Sequence, residues 1–405
     1  MNILFVLYIG FDKHGPSVHL LKGMIGQCLE AGHSVRMIVR NRGGSEPDIP
    51  AELQGYSNLH CDVIHDSVLE KGALVKRYLE DIRYAYRCRK LYQQYQDTDV
   101  VFLQSNTSPL FAMRLLKKTL KVPVLFNVQN IFPIDAGVLH KLPTKGLKGI
   151  PYHLLRKMQQ MAYRMADRVV TISEDMRKTL LGERVPEDKL RVVYNWSYDD
   201  EAADVPDEEN LFLADHPEFK DQFRVVFAGN LGAMVNPLII ADAAQKLQAY
   251  PDIRFLIIGD GNNMPKLKAL AEERGLDNIS FFPYQPENYA RHNYAMAHVN
   301  INALPKGIIT TCMPSKTATM LNAARPMVVA VERDSHYAQM LRRVDRCAVV
   351  DWDETDGFTE AILAMYKAGD HRESANARAV FKDYCSCENA KQYVTILEQL
   401  GRDKQ

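Results

Sequence analysis

The chain has 405 residues, of which 46% are hydrophobic and 25% are charged. These proportions are average for globular proteins and exclude a largely disordered or fibrous chain. The 50 basic and 50 acidic side chains cancel, so the net charge gives no sign of a nucleic-acid-binding protein. The cancellation is between halves, because residues 1–200 carry a balance of +7 and residues 201–405 a balance of −7.

The beginning of the chain and its cysteines indicate a compartment. The apolar run at 2–10 has no basic region and no small-residue cleavage site, so it predicts a buried strand and not a signal peptide. No apolar run approaches the roughly 20 residues that a membrane-spanning helix needs. Seven scattered cysteines are an odd number without metal or redox spacing, which favours a reducing cytoplasm.

In the first half, short β-branched runs alternate with longer stretches of helical periodicity, which is the pattern of βαβ units around a parallel sheet. The predicted strands are 2–9, 33–40, 99–104, 122–129, 168–173 and 189–196.

The pattern lapses at 197–222, an acidic stretch without sustained periodicity that predicts a linker. Strands are again predicted at 223–229, 252–259, 278–284, 298–305, 326–332 and 347–352, and the tail from about 356 to 401 is predicted helical. The fold class is therefore α/β, with two doubly wound Rossmann-like domains at 1–200 and 201–383 facing a cleft. We expect the C-terminal helices, 384–405, to cross back to the first domain.

Ligands of such sheets bind where the carboxyl ends of strands meet helix N-termini. In the first domain, Gly15 and Pro16 follow the first strand and precede a helix, while Asn130 and Asp135 follow the strand at 122–129. Each pair is a candidate for contact with a ligand. A conformational glycine, and a turn shaped around Pro133, are the alternatives that the residues leave open.

In the second domain, Gly229, Asn230 and Gly232 form a glycine turn between strand and helix. A dinucleotide fingerprint would need G-x-G-x-x-G, which neither domain has. The sequence GDG at 259–261 is a weak signal, more often a plain turn.

The stretch 303–332 is the most informative. Lys306 and Thr311 lie in a loop, Pro314 has the preference that starts helices, and Ser315, Lys316 and Thr317 follow. Free N–H groups, two hydroxyls and one ammonium group would then converge, as in a phosphate or diphosphate site. The alternative is a capped helix with Lys316 in water.

A basic amphipathic segment at 139–168 carries Lys141, Lys145, Lys148, Arg156, Lys157, Arg164 and Arg168 against Asp167 alone. Such a segment can bind an anionic membrane surface. An apolar stripe that is core, under a solvated basic face, is the commoner case. Twelve histidines show no metal-binding spacing, so no metal site is predicted.

The order of these motifs resembles the GT-B glycosyltransferases, specifically glycosyltransferase family 4 and its bacterial polysaccharide-building members. The resemblance covers nearly the whole chain and rests on GHSV, NVQNIFP, TISEDM, VVYNW, FAGNLG, LIIGDG and MPSKTATMLNAARP. It implies transfer of a sugar from a nucleotide diphosphate donor, usually with retention of anomeric configuration and without an essential metal or other cofactor.

The resemblance also implies roles for particular residues. The donor diphosphate would be held by Gly229, Asn230, Lys316 and the helix start at 314–319, and the base would be flanked by Phe282, Pro283 and Tyr284. The acceptor and the reacting sugar would meet Gly15, Pro16, Asn130 and Asp135.

Departures from the family are informative too. Thr311 and Thr319 stand where many members have two glutamates, so Thr319 or Glu332 would have to bind the donor ribose. Asn230 and Val235 replace a basic pair, which leaves more of the leaving-group stabilisation to Lys316 or Lys306.

We therefore predict a glycosyltransferase that uses a nucleotide sugar, in particular a uridine diphosphate sugar, to extend a glycan or lipid-linked acceptor at the cytoplasmic membrane face. A nucleotide-sugar epimerase or dehydrogenase and a degenerate, non-catalytic GT-B protein are the alternatives.

Overall fold

The computed structural model describes residues 1–11, 16–41, 43, 49–66, 74–197, 200–201, 205–369 and 373–402. The chain divides into two compact units, the first formed by Met1–Tyr198 with Cys387–Gln405 and the second by Asp199–Ser386.

The first unit is a seven-stranded parallel sheet in the order β3-β2-β1-β4-β5-β6-β7. Its elements are β1 (Asn2–Val6), α1 (Pro16–Glu30), β2 (Ser34–Asn41), β3 (Leu59–His65), α2 (Leu74–Gln94), β4 (Val100–Gln104), α3 (Pro109–Thr119), β5 (Val124–Val128), α4 (Ile134–Val138), α5 (Ile150–Met165), β6 (Arg168–Thr171), α6 (Glu174–Gly182) and β7 (Leu190–Val192).

The second unit is a six-stranded parallel sheet in the order β10-β9-β8-β11-β12-β13. Its elements are α7 (Leu211–Asp215), β8 (Phe223–Ala228), α8 (Pro237–Leu247), β9 (Ile253–Ile258), α9 (Met264–Glu273), β10 (Ile279–Phe282), α10 (Ala290–Ala295), β11 (Val299–Ala303), α11 (Lys316–Ala323), β12 (Met327–Ala330), α12 (His336–Leu341), β13 (Cys347–Val350), α13 (Thr355–Ala368) and α14 (Ala377–Cys385). The last helix, α15 (Asn389–Arg402), belongs to the first unit.

The central strands are buried on both faces, as expected where helices cover both sides of a parallel sheet. Every residue of β4, β5, β8 and β11 is buried. The predicted fold class is thereby confirmed as two Rossmann-like sheets. In each sheet the strand order reverses once, between β1 and β4 and between β8 and β11, and loops on either side of such a reversal leave room for a ligand.

The final helix packs into the core of the first unit. Tyr393 and Leu397 are fully buried there, and the side-chain amide of Asn127 on β5 donates a 2.6 Å hydrogen bond to the Tyr393 hydroxyl. The predicted return of the C-terminal helices to the first domain is confirmed for α15.

The structure has elements at two places where the sequence predicted none. The edge strand β3 was not predicted, because its polar residues interrupt the apolar run and most of its side chains are only partly buried. The predicted linker at 197–222 contains helical turns in its described part, held by Arg224. This buried guanidinium pairs with Asp207 and donates to the carbonyls of Phe219 and Lys220.

Candidate functional site

The carboxyl edge of the second sheet carries a glycine loop directly after β8. Its start is tied to the neighbouring strand, since the Gly229 N–H donates to the Ile258 carbonyl at 2.8 Å. The next contact follows two residues later, where the Leu231 N–H donates to the Asp260 carbonyl at 2.8 Å. The loop containing the predicted Gly229, Asn230 and Gly232 therefore runs against the loop that follows β9.

Two glycines of that second loop allow this close approach. A Cβ at Gly259 would lie 2.1 Å from the Gly229 carbonyl oxygen, and one at Gly261 would lie 2.4 Å from the carbonyl oxygen of Leu231. Both also have positive φ, 131° and 151°, which side chains rarely adopt. The GDG motif is thus more than the plain turn that the sequence favoured, because it fixes the path of the Gly229 loop.

Lys316 on α11 reaches under this loop. Its Nζ lies 3.4 Å from the centroid of the Phe227 ring, and a Cβ built on Gly229 would lie 3.9 Å from that nitrogen. The Nζ is buried and has no hydrogen-bond partner among the described residues. The amine without a counter-charge is therefore placed at the reversal point of the sheet.

Burial decides the protonation of this amine. A buried, unpaired ammonium costs several kcal/mol, whereas an aromatic ring returns about 0.5 to 2 kcal/mol. Desolvation accordingly lowers the pKa of Lys316 well below its usual value. A negatively charged ligand that paired with Nζ would shift this pKa back upwards.

Tyr294 also lies beside the Gly229 loop, and the sequence did not single it out. Its hydroxyl donates to the Ala228 carbonyl at 2.8 Å, and it would lie 3.8 Å from a Cβ on Gly229. Because burial raises its pKa, the phenol stays neutral and holds the end of β8. Its position on α10, far along the chain, gives no local signal.

The predicted convergence at the start of α11 is wrong in part. The helix begins at Lys316, preceded by the exposed Ser315 and the half-buried Pro314. The Thr317 hydroxyl is turned away from the surface and lies 2.9 Å from the Tyr337 hydroxyl. Only one of the two predicted hydroxyls is therefore exposed, and the amine is buried under the glycine loop.

The two predicted residues in the loop after β11 have different environments. Lys306 is exposed, with its Nζ 5.2 Å from the centroid of the Trp352 ring. Thr311 is fully buried, and its hydroxyl donates to the Ile308 carbonyl at 2.9 Å. The structure therefore corrects the expectation that Thr311 offers its side chain to a ligand, because no part of it reaches the surface.

Glu332 and Thr319 were the two candidates to replace the missing glutamate. Glu332 follows β12, and one carboxylate oxygen accepts from the Gly307 N–H, while the other is buried without a partner among the described residues. Thr319 is half-buried on α11. The Glu332 carboxylate thus fixes the loop that carries Lys306.

The three residues predicted to flank the base differ in exposure. Tyr284 and Pro283 are exposed after β10, and Tyr284 is 58% exposed. Phe282 instead packs into an aromatic cluster, with ring centroids 5.0 Å from Phe212 and 4.7 Å from His216. Only Tyr284 offers an open aromatic face for stacking.

In the first unit, Asn130 and Asp135 follow β5. Asn130 is exposed, and Asp135 lies in the first turn of α4, where one carboxylate oxygen accepts from the Ala136 N–H at 2.7 Å. Burial raises the pKa of Asp135 to about 6. Gly15 lies outside the described residues, and Pro16 is the first residue of α1.

The described residues contain neither a metal-binding cluster nor a membrane-spanning helix. They contain no group of three or more histidine, cysteine, aspartate or glutamate side chains placed to hold a metal ion. None of the helices in this part of the chain is both long and apolar enough to span a bilayer.

Comparison with known proteins points in one direction. The family model "Glycosyltransferase Family 4" matches residues 20–197, and "Glycosyl transferases group 1" matches residues 209–303. WbjE of Pseudomonas aeruginosa, named as a glycosyltransferase, is 29% identical over 67% of each chain. WcaI of Escherichia coli K12, named for colanic acid biosynthesis, is 25% identical over 62% of this chain and 61% of its own.

Solved structures share the fold at low identity. HepE from Anabaena in complex with UDP and glucose superposes with a TM-score of 0.70, at 13% identity and 98% coverage of both chains. Sucrose-phosphate synthase from Thermosynechococcus elongatus superposes with a TM-score of 0.74, at 13% identity and 99% coverage of both chains.

Proposed function

Because the chain belongs to glycosyltransferase family 4 and has the GT-B fold, we propose that it transfers a sugar from a UDP-sugar to a lipid-linked acceptor of surface-polysaccharide biosynthesis. The observation that carries the donor assignment is the buried, unpartnered amine of Lys316 beneath the Gly229 loop. A diphosphate is the ligand whose charge matches this amine and the free N–H groups that start α11.

In the proposed reaction, the bond between the anomeric carbon and the β-phosphate oxygen breaks, and its electron pair leaves with the diphosphate. Lys316 and backbone N–H groups stabilise that charge, which develops mostly in the transition state. The acceptor oxygen bonds to the anomeric carbon on the face that the diphosphate leaves, so the configuration is retained. The departing diphosphate takes the acceptor proton, and no metal ion takes part.

The choice of UDP and of a surface glycan is supported by the relatives. HepE has been solved with UDP and with UDP-glucose, and WcaI is named for colanic acid biosynthesis. In this chain, exposed Tyr284 would stack on the base. Glu332 or Thr319 would bind the ribose, and Lys306 would add positive charge beside the leaving group.

The acceptor would be bound by the first unit. Asn130 and Asp135 follow β5 there, and we assign the acceptor hydroxyl to them together with Gly15 and Pro16. An acceptor anchored in lipid requires an enzyme at the bilayer surface. We therefore propose that the protein works in the cytoplasm, as a peripheral protein on the inner face of the cell membrane.

The test compares two lysines that both lie over an aromatic ring. Lys316→Ala is expected to lower the rate of UDP release from UDP-sugars by about 100- to 1,000-fold, the usual effect of removing one group that stabilises developing charge. Lys268→Ala, whose exposed amine lies 5.6 Å from the Phe281 centroid, is the control and should keep full activity. Full activity is also expected in the presence of EDTA.

Three outcomes would contradict the proposal. Near-normal turnover of Lys316→Ala would remove this lysine from the mechanism. Tight UDP-sugar binding with no UDP release, across a panel of acceptors, would indicate a non-catalytic binding protein. Conversion of the sugar without release of UDP would indicate an epimerase or dehydrogenase.

A further inference from the structure

The segment from 136 to 166 has an unusual charge pattern. It contains six lysines and arginines and no aspartate or glutamate. Exposed Lys145, Lys148 and Lys157 take part in no salt bridge among the described residues. Arg156 differs, because it forms a bidentate pair with the buried carboxylate of Glu183. Among the described residues, the unpaired positive charge of this segment therefore lies on its lysines and on the exposed Arg164.

The apolar residues of this segment fall into a buried group and an exposed group. Leu155, Met158, Met161, Ala162 and Met165 are buried or half-buried and face the protein. Three others are exposed to an extent unusual for large apolar side chains: Leu147 by 86%, Ile150 by 59% and Leu154 by 59%. We call these three residues the apolar face.

One of the exposed lysines, Lys157, lies on the same side of α5 as two residues of the apolar face. Ile150, Leu154 and Lys157 follow one another at spacings of four and three residues, which places them on one face of a helix. Leu147 lies in the helical turn just before α5. The face therefore combines apolar side chains with a border of positive charge.

Helix α2 extends this surface. The Tyr78 hydroxyl lies 3.5 Å from the Met158 sulfur, so the first turns of α2 lie beside α5. Val75 and Leu79, on either side of Tyr78 along α2, are 72% and 50% exposed. Six of the eight large apolar side chains that stand exposed in the described part of the chain lie at 75–86 or 147–154. Exposure concentrated in this way marks a contact surface.

We propose that the apolar face inserts into the interfacial region of an anionic bilayer, with Lys145, Lys148 and Lys157 against the lipid head groups. Charge complementarity selects this occupant, because a segment without a single acidic side chain fits a negatively charged surface better than a second copy of itself. The leucine and isoleucine side chains of the apolar face would then be buried among lipid chains and removed from water. The proposal rests on the membrane location proposed above and specifies the surface that provides it.

The experiment is co-sedimentation of the full chain with vesicles of phosphatidylcholine containing 30% phosphatidylglycerol, against pure phosphatidylcholine. The wild-type chain should sediment with the anionic vesicles only. The variant Leu147→Ser/Ile150→Ser/Leu154→Ser should lose at least about tenfold in partition coefficient, since each apolar side chain contributes separately. Its control is Leu238→Ser, which changes a leucine of the second unit that is 40% exposed.

The charge contribution is tested separately. Lys145→Glu/Lys148→Glu/Lys157→Glu should abolish sedimentation with the anionic vesicles. Lys266→Glu/Lys268→Glu/Lys382→Glu changes the net charge equally on exposed lysines of the second unit and should leave sedimentation unchanged. Equal losses in both triple variants would mean that net charge alone drives binding, and the proposal would be wrong.

Other outcomes are equally decisive. A wild-type chain that does not sediment, or serine variants that sediment normally, would overturn the proposal. Analytical ultracentrifugation that shows a wild-type dimer, dissociated by the serine variant, would assign the apolar face to self-association instead. UDP release from the donor alone, without lipid, should be unchanged in the surface variants. Failure of the donor site is therefore distinguishable from failure of this surface.

Discussion

The buried amine of Lys316 predicts that nucleotide binding is coupled to the uptake of a proton. In the free protein the amine lies over the Phe227 ring, and no carboxylate in the described residues pairs with it. The perturbation is the addition of UDP, whose diphosphate supplies the missing counter-charge. The Lys316 amine should then become charged and remain so in the complex.

The sign and size of the pH dependence of UDP binding follow from the difference in Lys316 pKa between the free protein and the complex. Burial lowers the pKa of Lys316 in the free protein, and an adjacent diphosphate raises it. Between these two pKa values the complex holds one proton more than the free protein. The association constant of UDP should therefore fall up to tenfold for each unit of rising pH, equivalent to about 1.36 kcal/mol. At pH 8 the phosphate contributes little, because its own second pKa is about 6.

Calorimetry measures this proton count directly. The enthalpy of UDP binding at pH 8 is measured in phosphate, HEPES and Tris buffers, whose ionisation enthalpies differ. The slope of the observed enthalpy against buffer ionisation enthalpy should give close to one proton taken up. Lys316→Met should bind UDP more weakly with a slope near zero, and Lys268→Met should match the wild type.

Two results would refute this reasoning. A slope near zero for the wild type, with normal affinity, would mean that Lys316 is already charged before UDP arrives. An unchanged slope in Lys316→Met would assign the proton to another group. Absence of UDP binding altogether would count against the proposed donor and not against the coupling.

Three further predictions concern other parts of the structure. Because burial raises the pKa of Asp135 to about 6, its carboxylate is ionised above that pH, so kcat/KM should fall as pH drops through 6, and Asp135→Asn should lack this inflection. Gly261→Ala should lower the free energy of unfolding by about 2 to 4 kcal/mol and weaken UDP binding, because its Cβ would clash with the Leu231 backbone. Gly275→Ala, with positive φ but open space, should cost only about 1 kcal/mol in the same urea titration. Tyr393→Phe should cost about 1 to 3 kcal/mol in thermal unfolding, since it leaves the Asn127 amide buried without its acceptor, and UDP affinity should not change.

The fold could be predicted largely from the pattern of apolar runs, because the strands of a parallel sheet are buried on both faces. Twelve strands were predicted within a few residues of their bounds. Edge strand β3 was not predicted, since only one of its seven residues is buried. The turns at 207–219 escaped because their stability comes from Arg224 and Asn210, through contacts to residues distant in sequence.

The residues of the candidate site could be predicted from the sequence, but the orientations of their side chains could not. A glycine loop after a strand and a lysine at a helix start are local signals, and both were found. Whether Lys316 faces water or Phe227, and whether Thr317 faces a ligand or Tyr337, depends on packing between elements far apart in the chain. The clash that only glycine avoids at 259 and 261 also appears only when two loops are placed together.

Leaving the Lys316 amine unpaired lowers the stability of the free protein but favours ligand binding. A carboxylate beside Lys316 would stabilise the free protein, but it would compete with the diphosphate for the same ammonium. Leaving the amine buried and neutral costs folding free energy below its unfolded-state pKa, where the unfolded chain holds one proton more. A bound diphosphate offsets this cost because it pairs with the ammonium group. The buried amine therefore favours diphosphate binding. The Arg156–Glu183 pair of the first unit shows the opposite arrangement, a cation matched within the protein and so withdrawn from any anionic partner.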